Sequence, residues 1–162
     1  MKKKNLIIVI ASCVMLLAYF VLPFITGVKA SAFGESETQN TDDTVSMFYM
    51  LKDSGTPALS IILLVLTLCS SLYLLLDSFR DKLKDFSFIE KIVIPEKVAF
   101  LLPVILVLLV RFLYKPKGME LLSGLGAKIS MVYGMGFYLF LLAAIVVAAL
   151  VWVKSPALEE KV

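Results

Sequence analysis

Four long uncharged stretches alternate with polar segments along this chain, and their lengths predict its architecture. A helix needs about 20 residues to cross a hydrocarbon core. Residues 5–28 carry no charge over 24 positions, 23 uncharged residues separate Asp53 from Asp77, and 25 separate Lys128 from Lys154. The remaining stretch is the weakest, with 13 uncharged residues at 98–110 and 17 positions if it is carried past Arg111 to Tyr114. The pattern predicts an all-α integral membrane protein: four antiparallel transmembrane helices in an up-down-up-down bundle, with spans at about 5–28, 57–77, 98–114 and 129–153.

The polar segments supply the connections of a single membrane domain, 1–162. Residues 29–56 are acidic at their centre, GESETQNTDDT, without apolar periodicity, and read as a solvated outer loop. Its apolar piece at 45–51 reads as lying at the membrane surface, before Thr56 as a cap and Pro57 as the first helical position. Residues 78–97 mix charge with Phe79, Leu83, Phe86 and Ile89 at helical steps, which predicts a short amphipathic cytoplasmic helix. Its Arg80, Lys82, Lys84, Lys91 and Lys97 either face anionic headgroups or belong to a connector packed under the bundle. Residues 115–128 form a second outer loop and 154–162 a cytoplasmic tail.

The fourth span carries the clearest packing signal. Gly126, Ser130 and Gly134 recur four apart, as do Ala144 and Ala148, and small residues at that spacing let two helix backbones approach closely in lipid. Gly136 lies two residues past Gly134, about 200° round such a helix, and so is expected on a different face. In the second span Thr67, Cys69, Ser70 and Ser71 offer small polar atoms to a neighbouring helix. Pro23 either kinks the first span or marks its frayed end.

Composition agrees with membrane residence. The chain is 60% hydrophobic and 18% charged, with a mean hydropathy of +0.93, against about 45–50% and about 25% in soluble domains. Its net charge of +3 is spread over the ends of apolar runs rather than gathered on one basic face, so no nucleic acid is expected. The Lys-rich start and Ala30-Ser31-Ala32 resemble a secretory signal, but a signal core runs about 7–15 residues and this one is longer, which favours an uncleaved first span.

Positive charge sets the expected orientation. Lys2, Lys3, Lys4, Arg80, Lys82, Lys84, Lys91, Lys97, Lys154 and Lys161 fall on one side of the four spans, ten of the 16 cations. The positive-inside rule then places both termini in the cytoplasm of a cell-membrane protein. Trp152 is expected at the inner interface, with Tyr19, Phe20 and Phe24 at the outer one.

Candidate chemistry is sparse. The sequence contains no histidine, which removes the usual neutral-pH base and any Ser-His or Cys-His pair. Cys13 and Cys69 lie inside apolar runs, where an external disulfide framework cannot form. Residues 10–13 match a lipoprotein box only by chance, since an apolar run follows Cys13. The acidic loop lacks the ligand alternation and turn glycine of a calcium site, and Gly124-Leu125-Gly126-Ala127-Lys128 lacks phosphate-loop spacing. No catalytic residue, cofactor or metal is expected. Arg111, one turn from the end of its span, either snorkels to the interface or is a functional charge. The tetraspan layout invites comparison with claudin-like proteins, but the first loop has neither a cysteine pair nor a tryptophan, and no family follows. The leading expectation is a non-enzymatic protein acting through helix association, with itself as a homo-oligomer or as an accessory subunit of a membrane complex. The alternative is a small oligomeric transporter or channel.

Overall fold

The computed structural model describes residues 3–32, 35–52, 56–79, 94–114 and 128–152. Among them, eight elements follow in chain order: α1 (Lys3–Phe20), β1 (Ile25–Ala32), β2 (Glu35–Val45), α2 (Met47–Lys52), α3 (Ala58–Ser78), α4 (Glu96–Leu113), β3 (Lys128–Tyr133) and α5 (Met135–Ala149). The chain is mostly helical but not all-α, because β1, β2 and β3 form an antiparallel sheet in the order β2-β1-β3.

That sheet replaces parts of three expected segments. The first helix stops at Phe20, eight residues short of the uncharged run's end. Pro23 explains the stop: it has no amide hydrogen to donate, and it drives Leu22 out of the helical region. The chain turns through Val21–Phe24 and then meets Ile25, Thr26 and Val28, whose branched side chains favour extended backbone. The acidic segment expected as a solvated loop is strand β2, with Lys29 of β1 opposite Thr38 on one side and Ser130 of β3 on the other. The fourth span is also shorter than expected, since 128–133 are strand and helix begins only at Met135. Ile129, Val132 and Tyr133 carry branched or aromatic side chains suited to a strand.

The other two long helices fall close to expectation, with α3 at Ala58–Ser78 and α4 at Glu96–Leu113. Pro57 precedes α3 as its cap residue rather than opening it, and no side chain caps that end. The Thr56 hydroxyl instead donates to the Met50 carbonyl at 2.6 Å. The piece expected at the membrane surface contains α2, which buries Met47 and Met50 completely. The amphipathic helix expected at 78–97 lies outside the described residues over 80–93, as does the outer loop at 115–127. Ser78 and Phe79 end α3, and Glu96 and Lys97 begin α4.

The four long helices close into a ring: α1 packs on α3 and α5, and α4 packs on the same two. Their directions alternate. Tyr19, late in α1, donates its hydroxyl to the Leu64 carbonyl early in α3 at 3.0 Å. The Ile94 amide, just before α4, donates to the Tyr73 hydroxyl late in α3 at 3.2 Å. Lys4 pairs with Glu96, so α1 and α4 begin at the same end. The ends of α1 and α4 and the starts of α3 and α5 therefore share the opposite end, where the sheet sits.

One spacing builds the interior. The buried positions are 8, 11, 12, 15, 18 and 19 in α1; 60, 63, 64, 67, 70, 71 and 74 in α3; 99, 100, 103, 106, 107 and 110 in α4; and 136, 137, 140, 143, 144 and 147 in α5. Steps of three and four along each helix give an inward seam of the kind that packs helices near-parallel, at about 20°. Tyr19 and Phe24, expected in an outer aromatic belt, are fully buried on this core, whereas Phe20 and Trp152 are exposed.

By length and composition, α1 and α3 are apolar enough to cross a membrane, and α5 is a shorter apolar helix of 15 residues. Helix α4 carries Glu96 in its first turn and Arg111 in its last, outside an apolar middle.

Candidate functional site

Two features stand out from the packing: a set of hydroxyls inside the helix ring, and a cation on aromatic rings at the sheet-bearing end. The interior holds six buried polar side chains among the described residues, Ser12, Thr56, Ser60, Thr67, Ser70 and Ser71. Thr67 donates to the Leu63 carbonyl at 2.7 Å, and Ser70 and Ser71 both donate to the Thr67 carbonyl, at 2.8 and 3.1 Å. These hydroxyls thus satisfy themselves on their own helix instead of bonding to a neighbouring one. Among the described residues, Ser12 and Ser60 have no hydrogen-bond partner. Cys69 and Cys13 face outward.

The helix register brings several of these groups to one level. With Tyr19 beside Leu64 in antiparallel helices of equal rise, Ser12 and Ser71 each lie seven residues, about 10 Å, further down the bundle. With Lys4 beside Glu96 in parallel helices, the same step along α4 reaches Pro103, one residue from Ser12's level. Pro103 is buried inside α4 and cannot donate the helical bond that the Ala99 carbonyl would otherwise accept. Ser12, Ser71 and Pro103 thus lie near one level at the waist of the bundle, and Ser12 is a hydroxyl there without a described partner.

The second feature is built where α4 ends. Arg111 is exposed, and its guanidinium lies 5.1 Å from the Tyr133 ring centre, 5.3 Å from that of Phe137 and 6.0 Å from that of Phe112. Tyr133 and Phe137 are 4.7 Å apart, and Phe24 stands edge-on to both at 5.9 and 5.4 Å. Phe24 and Phe137 are wholly buried, so the rings under the cation are anchored in the core. The Tyr133 hydroxyl donates to the Arg111 carbonyl at 2.7 Å. Burial pushes the Tyr133 phenol above its ordinary pKa of 10.0, an effect that the Arg111 charge partly offsets.

No family model matches the chain, and no curated protein or solved structure does either. Its reading therefore rests on geometry.

The expected packing stripe is broken up by the strand. Gly126 lies outside the described residues, Ser130 is exposed on β3, and Gly134 is the extended residue before α5. Ala144 is buried within α5 and Ala148 is half-buried. Gly134 and Gly136, expected on different faces, sit under the same turn. A Cβ on Gly134 would come within 2.5 Å of the Pro23 carbonyl oxygen, and one on Gly136 within 2.9 Å of those of Leu22 and Pro23. Of the basic residues assigned to lipid, Lys97 is exposed in the first turn of α4, while Arg80, Lys82, Lys84 and Lys91 lie outside the described residues. Sequence reasoning missed Ser12 and Ser60. Their signal is the inward seam itself, because Ile8, Ser12, Met15 and Tyr19 follow it, as do Ser60, Leu64, Thr67 and Ser71.

Proposed function

We propose that this chain is a multi-pass membrane protein whose four long helices all span the bilayer, with the small sheet on the outer side, and that it works by association. The observation that carries this reading is the apolar outer surface of a ring whose core already buries a full set of apolar side chains. Leu59, Ile62, Ile105, Leu142 and Ile145 are each more than half exposed on the outside, while the buried hydroxyls lie within. A soluble bundle would hold large contiguous apolar surface away from water, and a bilayer is the solvent in which that surface is stable. Charge fits the same frame: Lys4 and Glu96 lie at one end of the ring and Arg111 at the other.

Association is the reading for activity because the sheet offers pairing capacity. Among the described residues β2 and β3 each pair on one side only, and an open strand edge is a template for another chain. The protein then acts without catalysis, self-associated or as an accessory subunit of a larger membrane complex. Light scattering of the protein purified in mild detergent, with mass spectrometry of what co-purifies, tests this: a homo-oligomer or a stoichiometric partner is expected, and a lone monomer overturns it.

A second reading, an oligomeric transporter or channel, draws on the unpartnered Ser12 and Ser60 hydroxyls inside the ring. Solute flux into liposomes containing the purified protein separates it from the first.

A further inference from the structure

We propose that Arg111 binds the phosphate of a membrane phospholipid at the sheet-bearing end of the bundle, an inference that rests on the membrane reading above. A guanidinium held over ring faces keeps its donors in plane and turned outward, matched to two oxygens of a phosphate. Tyr133 and Phe137 lie under the Arg111 guanidinium, with centre distances of 5.1 and 5.3 Å, and both rings pack edge-on against buried Phe24. Snorkelling alone asks only for a long side chain, whereas this cation is pre-organised by three rings, which lowers the ordering cost of binding.

Among the side chains that the structure describes, none is ion-paired with Arg111. The Lys4–Glu96 ion pair is at the opposite end of the ring, and the described contacts of the guanidinium are to rings. Its surroundings point to an anion that carries hydrocarbon. Phe112 and Leu113, its neighbours in α4, are exposed by 72 and 44%, and Tyr138, packed on Phe137, by 59%. An acyl chain covers such side chains, whereas a free phosphate ion leaves them uncovered. Depth agrees as well, since Arg111 occupies the last turn of α4, where headgroups meet the end of a span.

The test is native mass spectrometry of the full-length protein reconstituted with phosphatidylglycerol and then stripped with a delipidating detergent. The unmodified protein is expected to retain bound lipid, with retention reduced about tenfold in Arg111→Gln, the factor expected for losing a charge-assisted contact. Lys4→Gln, at the other end of the bundle where Lys4 pairs with Glu96, is the control and should retain lipid fully. Tyr133→Leu keeps the charge but removes a ring, and should lose lipid several-fold even if Arg111→Gln cannot be purified. Retention in Arg111→Gln equal to that of the unmodified protein overturns the proposal, as does unchanged retention in Tyr133→Leu. Displacement of the lipid by inorganic phosphate at millimolar concentration also overturns it, by assigning Arg111 to a free anion. Release of the protein from membranes by alkaline carbonate would defeat the membrane reading itself, whereas a protein that stays in the membrane and shows no Arg111 dependence defeats only this inference.

Discussion

The amide of Gly136 donates to the carbonyl of Pro23 at 2.8 Å, tying the first turn of α5 to the turn that ends α1. Two more backbone bonds complete the joint: Gly134 to the Phe24 carbonyl at 2.9 Å, and Phe24 to the Val45 carbonyl at 2.8 Å. One turn of four residues thus holds the last helix, the second strand and the first helix together.

Both glycines at that joint should therefore be intolerant of side chains. Gly134→Ala and Gly136→Ala each drive a methyl against backbone carbonyls that cannot swing aside, at a cost of about 1–3 kcal/mol. Graded denaturation in mixed detergent should show both variants less stable than the unmodified protein. A loss in only one of them would mean that the turn is not the shared constraint.

Tyr19→Phe removes the hydroxyl that links α1 to α3 while keeping the ring's volume. The expected loss is about 0.5–1.5 kcal/mol, since the bond is buried but the Leu64 carbonyl keeps its helical environment. The same denaturation series reads it, and an unchanged midpoint would mean that the bond contributes nothing net.

Ser12→Ala should be neutral or stabilising by up to about 1–3 kcal/mol, because it deletes a buried hydroxyl that has no partner. A clear destabilisation would reveal that the hydroxyl is engaged by solvent or a solute inside the ring. That result would favour the transport reading.

Stability should fall in strong alkali, and Tyr133 should account for part of the fall. Its folded-state pKa is raised above 10.0 by burial, so the neutral phenol is favoured by folding. That contribution is fully present below the unfolded pKa of about 10 and is lost as pH rises through the higher folded value. Ionisation also removes the donor to the Arg111 carbonyl. Tyr133→Phe should flatten the stability profile above pH 10, and an unaltered slope would count against this assignment.

Topology is open to thiol labelling. Cysteines placed at Ser36, Thr41 and Ser130 all belong to the sheet and should react together with an impermeant reagent from outside, whereas Lys97→Cys should not. Reversal of the pattern would invert the orientation, and reaction of Ser36 without Ser130 would separate β2 from β3 across the membrane.

Apolar run length determined the helical content, and two of the four helices fall close to where it placed them: α3 begins one residue after the expected start, and α4 ends one residue before the expected end. Run length cannot tell a helix from an apolar strand, and that is where the reading departed from the fold. Residues 25–28 and 129–133 are uncharged and continuous with helices, yet both are strands, because Pro23 ends α1 and because β1 offers each neighbour a row of backbone partners. The acidic strand β2 was illegible for a related reason, since its pairing is made by backbone groups and needs no apolar pattern. Arg111 was visible as a charge near a span's end, but the rings it meets from outside α4 are Tyr133 and Phe137, backed by Phe24. Only the closure of α5 onto α1 and α4 brings those three to one place, since Phe24 lies over a hundred residues from the other two in the chain.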